Sequence, residues 1–265
     1  MSTGRWAAVV LLLALAALGG AACGDDEDDA AGASAGGDTP QLTVSAAASL
    51  KTAFTAYGAR FADARVRFSF AGSDELAAQI QQGVKPDVYA AANTKLPDEL
   101  FRKGLVEKPT VFAGNELVLA VPAGGDEIAS LGDLGREGVT IAIGQEDVPV
   151  GSYTRTVLEQ LPAAQRDAIL ANVRTEEPDV AGITGKLTQG AVDAGFLYIS
   201  DVPATDGQLT AVDLPDRLQP QVAYGVAVVK GAQEPEAARA FIAGLLDGAG
   251  ASALRDAGFQ PPPER

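Results

Sequence analysis

Two serines sit where a strand-like pattern gives way to a helical one. Ser49 follows the β-branched run Leu42-Thr43-Val44 and the small residues Ser45 to Ala48. It precedes Leu50, Ala53, Phe54, Tyr57 and Phe61, apolar positions at three- and four-residue spacing. Ser73 follows Val66 to Phe70 and Ala71-Gly72, and opens a segment whose apolar face is Leu76 and Ile80. Serine is among the best N-cap residues, so each reads either as a plain cap or as a hydroxyl set beside free backbone N–H groups. In an open α/β sheet the carboxyl end of a strand is where ligands bind, and a helix N-terminus there favours an anion. Asp74 and Glu75 follow Ser73 and read as partners of the helix dipole, worth about 0.3–1 kcal/mol each.

What is missing narrows the chemistry. The 265 residues contain no histidine and one cysteine, Cys23. Imidazole acid–base catalysis, Ser-His-Asp triads and histidine metal sites are therefore excluded, and zinc or thiolate chemistry has little to stand on. A hydrolase or transferase would need a base near Ser49 or Ser73, where only carboxylates or Lys51 are on offer. Gly32-Ala33-Ser34-Ala35-Gly36 matches a hydrolase nucleophile elbow in letters only, because no strand precedes it and no helix follows it. No catalytic residue, resident cofactor or free metal cation is expected, and the chain reads as a non-enzyme.

The elements that must position the serines begin after a leader. Arg5, the apolar run Ala7 to Leu18 and the small residues up to Cys23 read as an export signal over 1–22, whose apolar run of twelve is too short to span a bilayer. Residues 23–40 form an acidic, Gly/Ala/Ser-rich tether. Of the 35 acidic residues six lie in 24–40, and the remaining 29 face 19 basic ones in the body from residue 41 on. An acidic body argues against nucleic acid as a partner, although charges more than about 10 Å from a site are largely screened and do not forbid a small anion.

From residue 41 strands and helices alternate, which implies α/β architecture with mostly parallel sheets. The strand Asn115 to Pro122 is followed by Gly124-Gly125, read as a change of domain. A second series runs through Val139–Ile143, a helix after Val150-Gly151-Ser152, Val173–Glu177, a weak helix from Val180 to Gln189, Ala194–Ile199 and Gln208–Leu214. Gly151 is read as a point where a ligand approaches backbone. Val222–Val229 then returns to the first lobe, and helices over 235–246 and 250–257 end the chain. The expected division is 41–121 plus 223–265 for one lobe and 122–222 for the other, with two crossings near 121–125 and 215–222.

Six stretches in this order, Ala47-Ala48-Ser49-Leu50, Phe70-Ala71-Gly72-Ser73, Pro86 to Ala92, Asn115 to Pro122, Val148 to Tyr153 and Gly195 to Asp201, resemble the periplasmic molybdate-binding proteins of ABC importers. The similarity runs from about residue 42 to 245. It implies a two-lobed, type II periplasmic-binding-protein fold in which a dehydrated tetrahedral oxyanion is held between the lobes by neutral donors. Matched residue by residue, it points to the hydroxyls of Ser49, Ser73 and Tyr198 and the backbone N–H groups of Val150 and Val180. Without the resemblance, Tyr198 reads equally as a core tyrosine. The family often has Ala where Val150 stands, which keeps the N–H, and Phe where Ser45 stands.

The ligand so implied is molybdate, with tungstate; sulfate or thiosulfate on the same fold is the alternative. A site built of donors rejects a protonated oxyanion such as hydrogen phosphate, whose own O–H finds no acceptor. Asp74 and Asp179 lie beside the implied ligands and would offer one. Gly20-Ala21-Ala22-Cys23 resembles a lipobox without its usual Leu, so the expected mature protein is a monomer anchored to the outer face of the cell membrane by a lipid on Cys23, delivering to a membrane permease. A transcription-factor effector domain shares such a fold, but the export signal argues against it.

Overall fold

A computed structural model describes residues 39–263 apart from Asp126. The expected signal, Cys23 and the tether up to residue 38 lie outside the described residues. In chain order the elements are β1 (Gln41–Ala47), α1 (Lys51–Gly58), β2 (Arg65–Ala71), α2 (Ser73–Gln81), β3 (Val88–Ala91), α3 (Lys95–Arg102), β4 (Thr110–Asn115), β5 (Leu117–Pro122) and β6 (Ile141–Gly144). They continue with α4 (Pro149–Glu159), α5 (Ala163–Ala171), β7 (Val173–Glu177), α6 (Val180–Thr188), β8 (Ala194–Tyr198), β9 (Leu209–Asp213), β10 (Val222–Val228), α7 (Pro235–Leu246) and α8 (Ala249–Asp256).

These strands build two sheets of identical plan, ordered β2-β1-β3-β10-β4 and β7-β6-β8-β5-β9. In each, a central strand has parallel neighbours on both sides, and the strand arriving from the other half pairs antiparallel. The sheets are thus mixed rather than mostly parallel. A parallel neighbour needs a crossover helix, and β5 and β10 reach their sheets directly from the other half without one.

The first crossing also comes earlier than 121–125. Strand β5 pairs with β8 and β9, so the chain passes between the sheets at Asn115–Leu117, and the strand expected over 115–122 divides there. Its residues Leu117 to Ala120 are fully buried. An unbroken apolar run has no polar face to say which sheet it enters. The return crossing lies between β9 and β10.

Helices cover both sheets. Phe54 of α1 packs edge-on against Phe241 of α7 with centroids 5.6 Å apart, and the Tyr57 hydroxyl donates to the Phe241 carbonyl over 3.1 Å. At the amino end of β3, burial would raise the Asp87 carboxyl, but N–H groups of Glu234, Thr43 and Gln233 and the Thr43 hydroxyl hold it below its ordinary value. That carboxylate ties the start of α7 to the sheet. The helix α5 was not foreseen: of its nine residues only Ile169 is buried, so it carries almost no apolar periodicity.

Candidate functional site

The shared plan aims the carboxyl ends of β1, β2 and β3 from one half, and of β6, β7 and β8 from the other, at one small cavity of about 20 Å³. Its lining includes Ala47, Ala71 and Ala92 at the ends of the first three strands, which keep its walls low. All five sequence-predicted ligand residues, Ser49, Ser73, Val150, Val180 and Tyr198, line it. That volume is on the scale of a single water-sized sphere. A larger hollow of about 560 Å³ beside Val121, Arg136 and Asp193 brings together none of the five.

Neither serine is an N-cap. Ser49 lies inside a short 3-10 turn, Ala48–Leu50, that leads into α1, and Ser73 is the first residue of α2. The N-cap positions of that turn and of α2 are Ala47 and Gly72, and neither has a side-chain cap. The hydroxyls are engaged elsewhere. Ser73 Oγ accepts the backbone N–H of Ala92 over 3.0 Å, and the Ser73 carbonyl accepts the Tyr89 hydroxyl over 2.7 Å. Ser49 Oγ lies 2.9 Å from the hydroxyl of Tyr224 on β10. A serine in the first turn, unlike a cap, leaves the helix N–H groups free for a guest.

Two further helix starts face the same space. Helix α4 begins at Pro149, which has no N–H, after Val148, which provides no side-chain cap; its first backbone bond is Ser152 N–H to Val148 O. The Val150 N–H therefore has no partner within the helix. In α6 the Asp179 carboxylate caps the Gly182 N–H over 2.9 Å, leaving the Val180 N–H without an intrahelical partner. Gly151 plays another part than the one read from sequence: a Cβ there would overlap the carbonyl oxygens of Gln145 and Gly144, so the glycine lets α4 start hard against its own loop. Arg155 holds that junction by donating to the Gly144 carbonyl over 2.9 Å while pairing with Glu176.

Tyr198 closes the floor at the end of β8. It is 1% exposed, and its hydroxyl has no hydrogen-bond partner, one of three such buried side-chain atoms among the described residues. A buried O–H left unmade costs about 1–3 kcal/mol, a cost that an acceptor in the cavity would remove. Burial, with Tyr224, Tyr153 and Asp201 nearby, pushes its ionisation well above the usual phenol range, so it stays a donor.

Among the described residues, no cationic side chain lines the cavity. Lys51 faces an adjoining open groove of about 660 Å³, which shares Ala48, Ser49 and Val180 with the cavity. Asp179 lines the cavity with one oxygen committed to its cap, whereas Asp74 is not among the lining residues. The Asp74 Oδ1 is buried without a partner; burial raises this carboxyl, its own and the Glu75 backbone N–H groups oppose that, and Asp147 and Asp179 raise it further. Sequence reasoning did not foresee Tyr224 or Asn115 around the site, because each meets it only through contacts distant along the chain, nor Asp201, whose carboxylate accepts the nearby Tyr198 backbone N–H.

The comparisons with known proteins accord with this geometry. The molybdate-binding protein ModA of Mycobacterium tuberculosis is 37% identical over 227 residues, 83% of this chain and 85% of that protein. ModA of Escherichia coli is 30% identical over 207 residues, covering 73% and 79%. The solved periplasmic molybdate-binding protein of Azotobacter vinelandii superposes with a TM-score of 0.75 at 21% identity, over 84% of this chain and all of that one, a likeness of fold. The family model of the bacterial extracellular solute-binding proteins matches residues 42–260, and the chain belongs to that family.

Proposed function

We propose that the protein captures molybdate, and tungstate with it, in the cavity between its two sheets and hands it to the permease of an ABC importer. The observation that carries this reading is the unpartnered Tyr198 hydroxyl in a cavity that Ser49, Ser73 and the starts of α4 and α6 also line. A tetrahedral dianion stripped of water must have acceptors filled on every side. The proposed donors, the hydroxyls of Ser49, Ser73 and Tyr198 and the N–H groups of Val150 and Val180, come from both halves and need no counter-ion. The sequence likeness to molybdate-binding proteins names the anion.

The same donor set supports binding rather than catalysis, since among the described residues no hydrogen bond joins a carboxylate or an amine to Ser49 or Ser73 to act as base. Two chain crossings at 115–117 and 214–222 make a hinge, and a guest touching both halves favours their closed arrangement. The export signal, a lipid on Cys23 and a monomeric state complete the proposal: a receptor tethered at the outer face of the membrane.

Calorimetric titration with molybdate, tungstate, sulfate and phosphate tests it. Molybdate and tungstate should bind with similar, high affinity, sulfate should be weaker and phosphate weakest of the four. Sulfate binding tighter than molybdate would change the anion while keeping the site, and phosphate binding tightest would overturn the donor cage.

A further inference from the structure

The hydroxyl of Ser49 belongs to a chain of polar groups that starts at the crossing between the sheets. The Glu116 backbone N–H donates to Asn115 Oδ1 over 2.9 Å, which fixes the Asn115 amide with its Nδ2 outward. That nitrogen, a donor only, reaches Tyr224 Oη at 3.3 Å and Ser200 Oγ at 2.8 Å. Tyr224 is fully buried and Asn115 is 4% exposed, so the bond between these two is shielded from bulk water. With its oxygen accepting from Asn115, the Tyr224 hydroxyl has one acceptor within reach for its hydrogen, Ser49 Oγ at 2.9 Å. Leaving that hydrogen unmade would cost the desolvation of a buried donor. Ser49 must then accept from Tyr224 and turn its own hydrogen to the cavity that it lines.

We infer that Asn115, acting through Tyr224, is the positioning residue that sets the direction of this chain, holding Ser49 as a donor and so making the cavity selective for fully deprotonated oxyanions. Nothing in the cavity does this for Ser49 directly. Ser73 reaches the same state by a different route, its oxygen occupied by the Ala92 backbone N–H. At both serines a backbone N–H dictates the outcome, directly at Ser73 and through two side chains at Ser49. The inference rests on the oxyanion reading above and adds to it the source of the discrimination.

Replacing the amide by a carboxylate should reverse the chain. In Asn115→Asp the oxygen at the Nδ2 position accepts from Tyr224, Tyr224 accepts from Ser49, and Ser49 offers a lone pair to the cavity. The test is titration of the parent, Asn115→Asp, Ser49→Ala and the double variant with molybdate and with phosphate, in alkaline buffer where phosphate is mainly the hydrogen-bearing dianion. Both ligands then carry two charges, so repulsion by the new carboxylate cancels in the ratio of their affinities.

Asn115→Asp should shift that ratio toward phosphate by about 10- to 100-fold, and the shift should vanish in the Ser49→Ala background. An unchanged ratio in Asn115→Asp, or the same shift without Ser49, would overturn the inference while leaving the molybdate reading intact. A parent that binds no molybdate would overturn both. Should Asn115→Asp fail to fold, Tyr224→Phe answers the same question. It frees Ser49 to donate or accept, and a ratio equal to the parent's would again contradict the inference.

Discussion

Ser73 Oγ accepts the Ala92 backbone N–H over 3.0 Å, so one strand end supplies the bond that leaves the serine hydrogen free at the next. Ser73→Ala removes a donor to a charged oxygen, an interaction worth about 1.5–3 kcal/mol, and should weaken molybdate binding about 10- to 100-fold. It also strands the buried Ala92 N–H, so the ligand-free protein should melt at a lower temperature. Undiminished affinity by calorimetry would place the anion away from α2.

Tyr198 should behave in the opposite way toward stability. Its hydroxyl has no partner without a guest, so Tyr198→Phe removes a group whose burial costs free energy. The ligand-free variant should be as stable as the parent or more so, while molybdate affinity falls about 10- to 100-fold. Thermal melts with and without molybdate check both at once. A destabilised apo variant with parental affinity would make Tyr198 a core tyrosine.

Sequence reasoning reached some of this and missed the rest for identifiable reasons. Ser49 and Ser73 stand out because a strand-to-helix switch of period is local, and each falls at such a switch. Val150 and Val180 act through backbone N–H groups, which leave no side-chain signal, so only likeness to a family points at them. Tyr224 and Asn115 lie 175 and 85 residues from the serine and Ser200 that they touch, and inside buried stretches nothing distinguishes them from packing residues. Strand β5 was legible as a strand and not as a member of the second sheet, since Leu117 to Val121 would suit either core.

Gly72 marks where the two halves meet. A Cβ there would lie 2.6 Å from the Pro178 carbonyl oxygen and 2.8 Å from Asp74 Oδ1. Its backbone angles suit any residue, so the obstacle in Gly72→Ala is the opposing loop and not the turn itself. The variant should hold the halves apart, weaken molybdate binding by about 10-fold or more, and keep a larger radius of gyration than the parent at saturating ligand. Identical scattering curves would show that this contact does not limit closure.

Asp201 gives the protein a pH dependence of stability. Burial pushes its carboxyl up from 3.8 to about 7, against the Tyr198 backbone N–H that bonds it over 3.0 Å and with help from Asp179. Between those two values the unfolded chain is ionised while the folded one still holds the proton, so this contribution to stability declines as pH rises through that window and is lost above it. Asp201→Asn keeps an oxygen for the Tyr198 N–H and removes the titration. Its melting temperature should decline less than the parent's over that range and exceed it above pH 7. Parallel profiles would exclude Asp201 as the titrating group.

The central claim is a place: the anion between the starts of α2, α4 and α6 and the Tyr198 hydroxyl. Crystals grown with molybdate, with diffraction data collected at the molybdenum absorption edge, locate the metal without reference to any residue. The expected map has one strong anomalous peak in the cavity, with the oxyanion's oxygens within hydrogen-bonding distance, about 2.6–3.2 Å, of the Ser49, Ser73 and Tyr198 hydroxyls and the Val150 and Val180 nitrogens. A peak in the hollow beside Arg136 or the groove beside Lys51, or none in crystals of protein that binds molybdate in solution, would contradict it.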